Sequence, residues 1–144
     1  MTEEPISSKE FRLEVDAAAA SIFQSHGFHR ASKFDTESPT TASVVYCGKN
    51  LAFTFTLDIR DQAIDLIVTR YRGGKLLANW DGGYSSSVFT HLLNHCGFRG
   101  RPTPPAALPA TSSRAQKMIA SHLNLLVHPA SAALLSDTMD ALPR

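Results

Sequence analysis

Apolar residues recur along this chain with two different periods, and the switches between them divide it into elements. Phe11, Val15, Ala18, Ala19, Ile22 and Phe23 fall within one arc at about 100° per residue, which predicts an amphipathic helix. Ser7-Ser8-Lys9-Glu10 reads as its capping box, and His26-Gly27 as its end, with Gly27 suited to the left-handed C′ position. The period then changes to two. Val44 and Tyr46 alternate with Ser43, Val45 and Cys47; Leu51, Phe53, Phe55 and Leu57 with Ala52, Thr54, Thr56 and Asp58; Ile64, Leu66 and Val68 with Asp65, Ile67 and Thr69. Short polar turns at Gly48-Lys49-Asn50 and Asp58-Ile59-Arg60-Asp61 join these runs, so they predict consecutive antiparallel hairpins. A weaker strand around Arg30–Asp35 is expected on the edge, and Lys75–Trp80 reads as a further strand or an ordered loop.

Helical spacing returns after Ser85–Ser87, which offers caps for a second helix running to about Cys96 and burying Val88, Phe89, Leu92, Leu93 and Cys96. Gly97, Gly100, Pro102, Pro104, Pro105 and Pro109 cannot continue a helix or a central strand, so a stiff connector is expected there. A third helix carries Met118, Ile119, Leu123, Leu126 and Val127; Pro129 breaks it, and Ala130–Leu142 is expected to form a fourth. The resulting expectation is an α+β fold: an antiparallel β-meander of about four strands, with helices packed on one face and a C-terminal helical extension. Residues 1–98 would form the core domain, 99–111 the Pro/Gly-rich connector, and 112–144 an extension packed on the core or on a partner. The second face of the sheet would carry Val45, Cys47, Ala52, Ile67 and Tyr71, too apolar to be simply wet. The third helix is a candidate cover for it.

Composition sharpens this picture only in places. A chain of 144 residues, 43% hydrophobic and 19% charged, is long enough for one packed domain. Its apolar runs are too short to span a bilayer, and Met-Thr-Glu-Glu-Pro lacks the basic start of a secretory leader, so a cytoplasmic protein with no membrane partner is expected. Cys47 and Cys96 lack paired spacing and read as buried thiols. The net charge of +1 hides an asymmetry: no acid occurs from Gly82 to Ser136, against Arg99, Arg101, Arg114 and Lys117. Four dispersed bases fall short of a nucleic-acid footprint, so no nucleic-acid partner is expected.

Candidate chemistry is sparse. His91 and His95 stand four residues apart beside Cys96, and His26 and His29 lie at the end of the first helix; imidazoles and a thiolate are zinc ligands. On a helical wheel, however, Cys96 falls in the apolar stripe, His95 at its edge and His91 toward solvent, so the set diverges. A Cys96 nucleophile is disfavoured by its place at a helix C-terminus. Asp58, Asp61 and Asp65, interleaved with Arg60 and Arg70, would suit a carboxylate site, but turn formation and cross-strand pairing with arginine suffice to explain them and are the favoured reading. No catalytic residue, metal or cofactor is therefore expected. Tyr71, Arg72, Trp80 and Tyr84 are residue types that anchor protein interfaces. Together with Asp58, Arg60, Asp61, Asp65 and Arg70 they form the expected partner-binding set.

The order Phe23-Gln24-Ser25-His26-Gly27-Phe28, Val44-Val45-Tyr46, Leu57-Asp58-Ile59-Arg60-Asp61 and Ile64-Asp65-Leu66-Ile67-Val68 resembles small bacterial helix–meander–helix proteins over residues 7–98. Many of these are immunity proteins of polymorphic toxin systems. The resemblance implies stoichiometric binding to a cognate toxin or effector, without catalysis. A small metalloprotein or hydrolase using the histidines or aspartates is the alternative, and a chaperone or adaptor docking through the same sheet is a third. A homodimer is compatible with an apolar helix after a stiff connector.

Overall fold

A computed structural model describes residues 6–61, 63–77, 83–95, 112–137 and 142. Helix α1 spans Ser8–Ser25. Its start is set by Ser7, whose hydroxyl oxygen accepts the Glu10 N–H at 3.1 Å and whose hydroxyl donates to Glu10 Oε1 at 3.4 Å. It ends in a Schellman turn: the Phe28 N–H reaches Phe23 O at 2.9 Å and the Gly27 N–H reaches Gln24 O at 3.1 Å. Gly27 sits at φ +85°, where a Cβ would be strained, and the turn throws Phe28 back onto the core.

Six strands follow in one antiparallel sheet: β1 (His29–Arg30), β2 (Thr41–Cys47), β3 (Leu51–Asp58), β4 (Ala63–Arg72), β5 (Lys75–Leu77) and β6 (Ser85–Ser87). Strands β1 to β5 lie in sequence order, and β6 pairs with β4 beside β5. The meander expected from the alternation is present, with Val44 opposite Phe55 and Phe55 opposite Leu66 at its centre. The edge strand expected over Arg30–Asp35 is only two residues long, because Ser32–Phe34 turns into a 3-10 helix. Lys75–Leu77 takes the strand alternative, and Ser85–Ser87 is itself a strand. Ser87 still caps the following helix α2 (Val88–His95), accepting the Thr90 N–H at 3.1 Å. The 97–113 connector lies outside the described residues except for its last two positions, which open helix α3 (Ser112–Leu126). A 3-10 turn over Pro129–Ser131 leads into the four-residue helix α4 (Ala132–Leu135), shorter than the segment expected to reach Leu142.

All four helices pack on one face of the sheet. Phe11, Val15, Ala19 and Phe23 from α1, Val88 and Leu92 from α2, Ala115, Ile119, Leu123 and Leu126 from α3, and Leu134 and Leu135 from α4 join one core with Val44, Tyr46, Phe53, Phe55, Leu66 and Val68. The idea that α3 covers the second face is therefore corrected: α3 lies beside α1 on the first. Its apolar side chains fill the part of that face which a single helix is too narrow to cover, since a helix is about 10 Å wide and four strands nearly twice that. The helical wheel also needs adjustment at α2. His91 is fully buried and Leu93 is 43% exposed, the reverse of what the apolar stripe indicated, because the helix rolls to place His91 against Tyr84. Ala18 and Val127 likewise turn outward.

Phe23 is the hinge pin of this packing. Its ring stacks on Tyr46 with centroids 4.5 Å apart and meets Phe28 and Phe53 at 5.8 and 5.3 Å. Phe23→Ala is expected to cost about 3–5 kcal/mol. Urea unfolding followed by far-UV circular dichroism checks this, and an unchanged midpoint would show that α1 is held elsewhere.

Candidate functional site

Among the described residues no helix lies on the second face of the sheet. Cross-strand registers place Cys47, Ala52, Thr69 and Ser85 in one row, Val45, Thr54, Ile67 and Ser87 in the next, and Ser43, Thr56 and Asp65 in a third. One corner is covered. There, the segment after β1 crosses over, and Ala31 and Phe34 join Val45, Cys47, Ala52, Tyr71 and Leu76 in a second, smaller cluster, with Phe34 edge-on to Tyr71 at 6.0 Å. Thr54, Thr56, Asp65 and Ile67 are half-buried by their sheet neighbours alone. Burial pushes the Cys47 thiol up to about 11, so this free cysteine is a protonated packing group at neutral pH.

A partly buried ion network holds this crossing segment, a strap over residues 31–36, in place. Arg30 donates to both carboxylate oxygens of Asp35, at 2.7 and 2.5 Å, and through Nε to Asp16 of α1 at 2.9 Å. Asp35 in turn accepts the Val45 N–H at 3.1 Å, and the Tyr46 hydroxyl donates to Asp16. Hydrogen bonding from Asp35 raises the Arg30 pKa further, and burial followed by the Asp16 hydrogen bond raises that of Tyr46. The guanidinium and both carboxylates are thus mutually committed to joining α1, the strap and β2. Such a network positions elements; it leaves no proton free for chemistry.

The eight described residues of the expected partner set do not converge. Asp58, Arg60 and Asp61 sit at the β3–β4 turn, where Asp58 accepts the Asp61 N–H at 2.9 Å. Asp65 lies on the open face near that end. Tyr71 lies on the same face six residues further along β4, about 20 Å away. Arg72 is exposed at the β4–β5 hairpin, whereas Arg70 points to the helical side and donates to Leu142 O at 3.2 Å. Tyr84 is half-buried against His91, their Oη and Nδ1 atoms 2.9 Å apart. Trp80 lies outside the described residues, as does Cys96.

The histidines divide in the same way. His91 and His95 bring their ring centroids to 5.3 Å, while His26 and His29 are exposed at the end of α1 and in β1. Among the described residues no three His, Cys, Asp or Glu side chains gather as metal ligands. His122, unremarkable in the sequence, is buried and donates from Nε2 to Ile64 O at 3.1 Å, while its Nδ1 finds no hydrogen-bond partner among the described residues. Arg70 N–H points away from β3 to Tyr84 O, so alternation directs the polar groups of Leu66 and Ile64 to the same outer edge. Beyond the reach of β6, His122 meets the Ile64 carbonyl there and Asp65 meets the Leu66 N–H at 2.8 Å. These two side chains close the otherwise bare end of the β4 edge.

Asp137 was also missed, and its carboxylate gathers three backbone donors. Its Oδ1 accepts the N–H groups of Asn50 at 3.0 Å and Leu51 at 2.8 Å, and its Oδ2 accepts that of Lys49. The Asn50 side chain donates back to Asp137 O at 2.9 Å. The one available signal was that Asp137 is the first acid after Asp81.

No protein-family model matches the chain, no curated protein matches it significantly, and no solved structure does so. The site is therefore read from its own geometry.

Desolvation lowers the His122 pKa below 6.5, outweighing the Ile64 carbonyl and the Asp65 charge that favour protonation. The native imidazole stays neutral where the unfolded one takes a proton, so its contribution is intact above pH 6.5 and is lost as the pH falls through the window below it. His122→Gln, which keeps a donor for Ile64, is expected to flatten the loss of stability between neutral and mildly acidic pH by up to about 1.4 kcal/mol per pH unit. Chemical denaturation across that range measures the difference, and parallel curves for the two proteins would exclude His122 as the source.

Proposed function

We propose that this protein is a non-catalytic protein-binding module, and that its open sheet face is the binding surface. The observation that supports the reading is the one-sided packing: α1, α2, α3 and α4 all serve the same core. Among the described residues, meanwhile, no helix lies above the rows through Thr54, Thr56 and Ile67. Sheets that carry a half-apolar face without a covering layer commonly reserve it for a partner. Several titratable groups are engaged in structural work: Arg30 with Asp16 and Asp35, His122 with Ile64, and Asp137 with the β2–β3 turn.

Three rows across four strands amount to roughly 350 Å² of surface, using strand spacing and rise. A stable complex buries about 800 Å² per partner. A partner on this face must therefore also reach the rim, which is formed by Asp58, Arg60 and Asp61 at one end and by Tyr71 and Arg72 at the other. That gives the separated members of the expected set one common role. Within this class, the resemblance over residues 7–98 favours an immunity or inhibitor protein that neutralises a cognate toxin by occlusion in the bacterial cytoplasm. Among the described residues no single helix is long and apolar enough to cross a membrane.

Titration calorimetry against the product of a toxin-like reading frame beside this gene is expected to give a one-to-one complex. Thr54→Arg and Ile67→Glu, both at half-buried positions with no layer above, should keep the fold and weaken that complex by about thirtyfold or more. Absence of binding by the unaltered protein removes the toxin reading, and full binding by both variants removes the sheet face as the surface.

A further inference from the structure

We propose that the β2–β3 turn is a carboxylate-binding site, which the chain keeps closed with the side chain of its own Asp137. Three successive backbone N–H groups, from Lys49, Asn50 and Leu51, converge on one carboxylate. Consecutive amides turned to one side make a concave donor surface suited to an anion, and three donors on two oxygens fit a carboxylate. The space is cut to that group. A Cβ on Gly48 would stand 2.6 Å from the Asp137 carboxyl carbon and 2.7 Å from the Phe28 ring, so only glycine leaves the room.

The ligand arrives from far along the chain and in an unusual pose. Asp137 lies 86 residues beyond Leu51 and holds φ 56°, a left-handed conformation in which non-glycine residues are uncommon. Its N–H closes the end of α4 on Leu134 O at 3.1 Å, and its carbonyl receives the Asn50 side chain. The backbone is thus turned so that the carboxylate enters the turn. Lys49 is exposed at the mouth. A carboxylate from outside, such as an acidic side chain or a chain terminus, meets the same three donors once the Asp137 carboxylate is taken away. Tyr71 N–H donates to Asn50 O at 2.9 Å, which links the site directly to the strand that carries the open face.

Asp137→Gly separates the carboxylate from the backbone, because glycine adopts the left-handed conformation without cost. Amide exchange at Lys49, Asn50 and Leu51 in the full-length variant, followed by NMR, is expected to accelerate about tenfold or more relative to wild type. Added acetate should restore protection to these three amides, whereas chloride at the same ionic strength should not, and the wild-type protein should respond to neither. Asp137→Asn, nearly isosteric, serves where the glycine variant is too unstable; it should expose the Lys49 amide, since its side-chain NH2 cannot accept. Unchanged protection in both variants would overturn the latch. Equal recovery with chloride and acetate, or no recovery with either, would overturn the carboxylate site.

Discussion

The stacking of Phe23 on Tyr46, backed by Phe28 and Phe53, decides which side of the sheet becomes the interior. Once α1 is anchored there, the alternation of β2, β3 and β4 commits every second residue to the same side. A later helix can then bury its stripe only by lying alongside. Helix α3 therefore lies next to α1, where Ile119, Leu123 and Leu126 complete a surface already half covered. The bare second face is the geometric remainder of that choice.

The remainder is managed with some care. Its apolar corner is closed by Phe34, and the strap that carries Phe34 is held by Arg30 between two carboxylates. Removing Arg30 would leave Asp16 and Asp35 facing each other across a half-buried space, which is why the pair of acids and the arginine have to be considered as one unit. On the β4 edge, His122 and Asp65 occupy the backbone groups that β6 does not reach. The described residues thus protect the edge and one corner of the second face and place no helix over its middle.

Much of this was legible in the sequence, because it depends on period. The alternation from Ser43 to Thr69 gave the meander and its two unequal faces, and the Ser7 and Gly27 signals gave both ends of α1. What failed depended on choices between near-equal faces. A stripe of about 140° could not say that α2 would roll to bury His91 and leave Leu93 outside, since a tyrosine hydroxyl five or more residues away made the difference. The apolar residues of α3 were plain, but nothing local says which side of a sheet they join. Asp35, His122 and Asp137 were illegible for a shared reason: each acts on backbone groups 10 to 88 residues distant, and such pairing leaves no local pattern. The partner set was chosen by residue type, and type does not distinguish Arg70, turned to the helical side, from Arg72, which is exposed.

The closure of the β2–β3 turn by Asp137 also carries a schedule. The hairpin is local and can form in microseconds once its residues leave the ribosome. Its three turn amides must then wait for a side chain made 86 residues later. At common elongation rates that delay is roughly 4–17 s, during which only water can satisfy them. The nascent protein therefore passes through a period in which the sheet exists and its tail does not, and the arrival of Asp137 marks the end of it.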